Sequence, residues 1–179
     1  MDLVEFETIK NLLGLSSSSE TAYPDLAIII ESVNLGIEDE LGRLLDRKER
    51  TETLMVGVTP TRFVDLLGLP IVSIAEVTVD GEVLSSDAYA ATPAGIRLAT
   101  AVKEVDVVVT YTGGILTSAI PPALQRAAML QVAYEYQNKE NIGASSISTE
   151  GGSVQIPALQ LLPIVVKLIS GYKHPSRIS

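Results

Sequence analysis

The sequence predicts an α+β fold, a helical core of about four helices with a small antiparallel β module inserted between the second and third helices. Three observations predict it. Apolar residues recur at helical spacing up to Leu45 and again after Pro121, whereas between Thr51 and Gly114 the period drops to two and β-branched residues dominate. Turn signals punctuate that middle stretch, Asp80-Gly81 being the clearest. Hydrophobic residues make up 46% of the 179, enough for one sizeable core or a core plus an appended module. Aromatics make up only 4%, so Val, Ile, Leu and Ala must fill that core, and the chain is expected to fold as one unit.

The elements follow in order. Residues Asp2 to Leu13 place Phe6, Ile9 and Leu13 at helical spacing, with Gly14 as the stop. Ser16 to Ser19 form a polar linker. Tyr23-Pro24-Asp25 then opens a second helix with proline near its first turn. Its stripe is Leu26, Ile29, Ile30, Val33, Ile37, Leu41, Leu44 and Leu45, which predicts about 25 residues and roughly 37 Å of helix. Glu31, Glu38, Arg43 and Arg47 fall largely off that stripe, and Gly36 and Gly42 mark a bend or a close helix contact. Strands are expected at Thr53 to Val58, Ile71 to Val79, Gly95 to Ala99 and Val105 to Thr112, with Leu66 to Pro70 leading into the second of them.

Pro121 and Pro122 start a helix that runs to about Glu140. One apolar stripe on it is Ala123, Ala127, Leu130 and Tyr134; a second is Met129, Ala133 and Tyr136. Two stripes imply two packing partners, the second being either a neighbouring subunit or another layer of the same domain. Gly143 to Gly152 has the composition of a flexible loop. Leu159, Leu162, Val166 and Ile169 predict a last helix over Pro157 to Ser170, interrupted or shifted at Pro163 and ended by Gly171, with Tyr172 to Ser179 as an extended tail. The resulting division is 1–50, 51–114, 115–142 and 143–179.

Composition removes several function classes. Cysteine is absent, which excludes disulfides, thiolate nucleophiles and cysteine zinc sites together and suits a reducing cytoplasm. The longest apolar runs, Leu26 to Ile30 and Leu161 to Val166, fall far below the roughly 20 residues of a membrane span. The acidic start Met1-Asp2-Leu3-Val4-Glu5 lacks the basic opening of a signal peptide, so the chain reads as soluble and unexported. A formal charge of −9 disfavours general affinity for a phosphate backbone. From Gly151 onward, however, stand Lys167, Lys173 and Arg177 and no acid, the pattern either of a tail that leaves the body to meet a partner or of chance in a short segment.

Catalytic and metal constellations are also missing from the pattern. The only histidine, His174, lies five residues from the end beside Pro175 and reads as a solvated tail residue, whereas a catalytic base must be held in place. The serines of Ser16 to Ser19 and Ser145-Ser146 lack a Gly-x-Ser-x-Gly elbow, and Thr112-Gly113-Gly114 is not followed by Gly-Lys-Ser/Thr. In the triplet Glu38-Asp39-Glu40, helical neighbours point in different directions, so a solvated face fits better than a cation site, and Glu5 and Glu7 read likewise. No catalytic, metal or cofactor-binding residue is named, and no cofactor is expected.

The stretch from Val105 to Glu140 sets an alternating strand against a glycine turn, a Pro-Pro helix start and a tyrosine-bearing helix. It resembles the closing portion of the head-tail connector (head completion, neck adaptor) proteins of tailed phages. In that family a strand ending Tyr-Thr-x-Gly precedes a proline-initiated helix with a Tyr-Glu-x-x-x-Glu type cluster at its far end. The matching positions are Tyr111, Thr112, Gly114, Pro121, Pro122, Tyr134, Glu135, Tyr136, Lys139 and Glu140. Lys10-Asn11-Leu12-Leu13, Leu69-Pro70-Ile71-Val72-Ser73-Ile74 and Val79-Asp80-Gly81-Glu82 followed by Asp87-Ala88-Tyr89 extend the likeness across nearly the whole chain.

The resemblance implies subunits that assemble as a closed ring below the portal of a filled head and extend its DNA channel. It also implies that they present the docking surface for a tail-side stopper or tail-completion protein. This is structural work without turnover, in the virion neck, with DNA only as a passing, non-specific occupant and no membrane partner. Portal contact would then fall on the terminal segment, at Leu162, Val166, Lys167, Ile169, Tyr172, Lys173, His174 and Arg177. Met129, Ala133, Tyr134 and Tyr136 are the candidate subunit interface, and Glu31, Glu38, Asp39 and Glu40 the candidate channel-lining acids. The alternative is a tail or baseplate accessory protein that binds a ligand through the loops around Ser85 to Ala94.

Overall fold

A computed structural model describes residues 2–16, 20–139, 146–149, 152–155 and 160–175. In chain order the elements are helices α1 (Phe6–Leu12) and α2 (Pro24–Leu41), strands β1 (Lys48–Met55), β2 (Thr61–Asp65), β3 (Ile71–Val79), β4 (Glu82–Val83), β5 (Tyr89–Thr92), β6 (Gly95–Val102) and β7 (Asp106–Gly113), helix α3 (Pro122–Gln137), strands β8 (Ser146–Thr149) and β9 (Gly152–Gln155), and helix α4 (Pro163–Ile169). Four helices and antiparallel sheets among the described residues make the fold α+β. No helix of the described residues is long and apolar enough to cross a membrane.

The chain divides into two compact units where one was expected. One comprises Asp2–Glu40 and Pro121–Gly171; the other comprises Leu41–Ile120 and the segment beginning at Tyr172. The division follows the change of hydrophobic period, because a period-two stretch and a period-3.6 stretch each bury their own faces.

In the helical unit, α2 buries Leu26, Ile30, Val33 and Ile37 on one stripe. It stops at Leu41, because Gly42 takes φ +64° and closes the helix, so Leu44 and Leu45 leave the helical path. Helix α3 packs on α1 and α4. Its buried face is Leu124, Ala127, Ala128, Gln131 and Val132, a single stripe that shares only Ala127 with the first of the two expected from apolarity. The centre of that stripe is polar, which is why counting apolar residues displaced it. Gln131 is 1% exposed; its amide nitrogen donates to the Gln160 carbonyl (3.3 Å) and to Glu135 (2.9 Å), while its oxygen accepts the Leu162 N–H (2.9 Å). Asn34 acts similarly at the N-terminus, accepting the Leu3 N–H at 3.2 Å and donating to Asp2 at 3.2 Å.

Helix α4 begins at Pro163, the shifted start among the expectations, since proline is at ease in a first turn and breaks an interior one; Pro157 lies outside the described residues. Of the expected Gly143 to Gly152 loop, residues 143–145 and 150–151 lie outside the described residues, and Ser146–Thr149 pairs antiparallel with Gly152–Gln155 in the register Ile147↔Val154.

In the β unit, one sheet has the order β1-β7-β3-β4 and the other β2-β6-β5, every pairing antiparallel. Their inner faces share one core of Val64, Leu66, Val77, Ile96, Leu98, Val107, Val109 and Tyr111. Strand β7 alternates fully, with Val107, Val109, Tyr111 and Gly113 buried. Asp80 (φ 52°) and Gly81 (φ 83°) form the expected two-residue turn between β3 and β4. Strands β2 and β5 escaped sequence reading, because TRFVD and YAAT carry few β-branched apolar residues and owe their place to pairing with β6.

A methyl group at Gly113 would overlap the Gly68 carbonyl oxygen, whereas one at Gly57 meets nothing within 4 Å. Gly113→Ala is therefore expected to lower unfolding free energy by more than about 2 kcal/mol in urea titration, and Gly57→Ala to change it by less than about 1 kcal/mol.

Candidate functional site

The inward phase of β1 places Arg50, Glu52 and Leu54 opposite Tyr111, Val109 and Val107 of β7. Two charged residues on a core-facing phase need partners, because an unpaired buried polar group costs about 1–3 kcal/mol. They find them around Tyr111, which is fully buried. Its hydroxyl donates to Glu52 Oε1 and accepts the Gly68 N–H at 2.7 Å. The Glu52 carboxylate also accepts the Leu67 N–H at 3.1 Å through Oε2. Arg50 Nη1 donates to the Asp46 carbonyl at 2.8 Å. Only glycine fits at 68, where a Cβ would stand 2.7 Å from the Tyr111 hydroxyl and 3.1 Å from Arg50 Cδ.

The same loop is held from the other side by His174, which is 2% exposed. Its Nε2 lies 2.9 Å from the Leu66 carbonyl, and its backbone N–H donates to the Leu41 carbonyl at 2.8 Å. This corrects the reading of His174 as a solvated tail residue and of Tyr172 to His174 as extended, while residues 176–179 of the expected tail lie outside the described residues. A neighbouring proline did not prevent burial, because backbone carbonyls of the β unit supplied the imidazole with a partner. Glu52, Asp65, Leu67 and His174 border a cleft of about 410 Å³.

Chemically the cluster is a clamp. Burial, reinforced by the hydrogen bond to Glu52, pushes the Tyr111 hydroxyl well above the usual tyrosine range, so it stays a neutral donor. Glu52 is engaged by Tyr111 and the Leu67 N–H, and His174 by the Leu66 carbonyl, so all three side chains are tied to this loop. Among the described residues no group of three or more His, Asp or Glu is placed to hold a metal ion.

The remaining sequence candidates are scattered. Ile169 is buried at 0% exposure and serves the core of its own unit, so it and His174 leave the expected portal-contact set. Lys167 is exposed; Leu162, Val166, Tyr172 and Lys173 are half-buried; Arg177 and Glu140 lie outside the described residues. Met129, Ala133, Tyr134 and Tyr136 are all half-buried, and Lys139 sits 4.4 Å over the Tyr136 ring while pairing with Asp25 at 3.3 Å. Glu31 and Asp39 are exposed, Glu38 and Glu40 half-buried. Sequence reading missed Glu52, Gly68 and Gln131, although Arg50 and Glu52 on the inward phase of a strand were a usable signal.

Tyr111→Phe is expected to cost about 1–3 kcal/mol in urea titration, since it orphans the Gly68 N–H and removes a donor to Glu52. The folded-state hydroxyl titrates above the unfolded one, so its contribution is complete below about pH 10 and falls as pH rises beyond. Stability of the wild type should therefore drop more steeply than that of Tyr111→Phe above pH 10. Removing residues 172–179 should destabilise the β unit by about 1–3 kcal/mol through loss of the His174 contacts, read as a lower midpoint in urea titration.

Comparison with known proteins bears on what this scaffold is for. No curated protein sequence matches the chain. Among solved structures it is similar to a chain in the virion of a native gene transfer agent (GTA) particle, with TM-score 0.59 and 17% identity over 93% of this chain and 87% of that one. It is similar to a chain in the neck of an empty GTA particle computed with C6 symmetry, at TM-score 0.57 and 15% identity, over 90% and 86% of the two chains. A third is in the neck of a native GTA particle computed with C12 symmetry, at TM-score 0.52 and 16% identity, over 89% and 92%. These likenesses establish a shared fold. The family model described as Head completion protein matches residues 2–174, ending on the clamped histidine, and the chain belongs to that family.

Proposed function

We propose that this protein is a structural subunit of the neck of a tailed-phage-type particle. Copies form a closed ring below the portal, extend the DNA channel, and offer a docking surface to a tail-side stopper or tail-completion protein. The observation that carries this reading is membership of the head completion family over residues 2–174. It is supported by the fold shared with chains of GTA necks computed with C6 and C12 symmetry, which argue for a cyclic assembly.

The physical properties suit the role. A −9 chain carrying exposed Glu31 and Asp39, with Glu38 and Glu40 half-buried beside them, offers an acidic bore past which DNA slides. A basic wall would instead hold phosphates with strong salt dependence. Glu52, Tyr111 and His174 work as a scaffold rather than in turnover, so the protein acts without catalysis. DNA is a transient occupant, and no membrane is involved. The half-buried Met129, Ala133, Tyr134 and Tyr136 contribute to contact between copies. With Ile169 and His174 turned into their own units, portal contact rests on Val166, Lys167 and the cationic terminus with Lys173 and Arg177, helped by Leu162 and Tyr172.

Incubating the full chain with portal-bearing, tailless heads should add a ring of density at the vertex in negative-stain images, and Lys167→Glu should reduce its occupancy severalfold. Vertices that stay bare with the wild type at every concentration contradict the reading.

A further inference from the structure

The two sheets of the β unit turn outer faces of opposite character to solvent. On β6, Ile96 and Leu98 point inward, so Arg97, Ala99 and Ala101 line the outer face, all exposed. Arg97 stands opposite Phe63 of β2, which is 61% exposed, and opposite Ala90 of β5. Lys103, just beyond the end of β6, adds a second exposed cation beside this face. Asp65, opposite Gly95 and on the same phase as Phe63, is exposed at the margin, so the face is alanine-rich with Arg97 at its centre and one acid at its edge.

The outer face of the other sheet is built from threonine and acid. Glu49, Thr51, Thr53 and Met55 of β1 face outward opposite Thr112, Thr110, Val108 and Asp106 of β7. Glu76 of β3 stands beyond Thr110. Glu49, Glu76, Asp106 and Met55 are exposed, Met55 at 84%, and the Thr51 and Thr110 hydroxyls bond across the strands at 3.0 Å. Among the described residues, neither Arg97 nor Glu76 belongs to an ion pair.

Two different, complementary patches on one chain are what a head-to-tail contact between copies requires, and such contacts generate rings when the rotation closes. Because the sheets share a core, these patches lie on opposite sides of the β unit. We infer that the Phe63–Arg97–Ala99 face of one copy docks on the Thr51–Glu76–Asp106 face of the next. This deepens the ring reading above and rests on it. Like charges brought together at such a contact would suppress association, and opposite ones would fix its register.

Charge reversal tests the pairing. All positions concerned are exposed, so unchanged melting curves establish that Arg97→Glu and Glu76→Arg still fold. Each variant alone should need at least about tenfold more protein for half-assembly, measured by mass photometry and by vertex occupancy on portal-bearing heads. An equimolar mixture of the two should recover assembly, because an alternating ring restores opposite charges at every contact. Single variants that assemble like the wild type, or a mixture that fails to recover, overturn the pairing while leaving the ring reading intact. A wild type that never assembles overturns both.

Discussion

The β unit depends on one buried hydroxyl. Tyr111 brings a polar group into an otherwise aliphatic core, and that group can stay there only while Glu52 accepts its hydrogen bond and the Gly68 amide donates to it. Everything near it follows from this demand. The loop between β2 and β3 must pass within hydrogen-bonding range of β7, so position 68 can carry no side chain. Gly113 must leave room for the Gly68 carbonyl. Leu44 then joins the sheet margin by donating to the Leu67 carbonyl at 2.8 Å, and Ile115 by donating to the Leu45 carbonyl at 2.6 Å. That stitching explains why the chain leaves its helical path at Gly42 although leucines continue at helical spacing.

The helical unit uses the same device with amides. Gln131 on α3 and Asn34 on α2 each reach from a buried helix face to backbone groups about 30 residues away, fixing the segment before α4 and the chain start respectively. Apolar packing of Leu, Ile, Val and Ala is forgiving about register, since similar shapes can be exchanged at little cost. A buried amide is not forgiving, because a slip leaves it unpaired. With 4% aromatics and no disulfide, the chain leans on these polar clips for a unique arrangement.

What was legible in the sequence was the part governed by periodicity and turn chemistry. The strands around Val77 and Val109, the Asp80-Gly81 turn and the proline start of α3 could all be read locally. So could the family, because Tyr111, Thr112 and Gly114 mark the end of a strand where Tyr111 is clamped through its hydroxyl and Gly114 takes φ +109° against the Asp46 carbonyl. What was not legible depended on distant partners. His174 looks solvated until Leu66 is placed beside it, and Gln131 interrupts an apolar stripe until the 160–162 backbone is placed beside it. The acid-rich Glu38-Asp39-Glu40 run drew attention for its density, whereas the lone Glu52, flanked by threonines, is the carboxylate the fold is organised around.

For a member of the head completion family built with few aromatics this economy is apt, because polar clips keep loops in place without large cores. Amide hydrogen exchange at Leu67 and Gly68 measures the clamp directly. The account predicts protection approaching that of the β7 amides, although both residues lie outside regular strands. Exchange at the rate of an exposed loop, with β7 still protected, would contradict it.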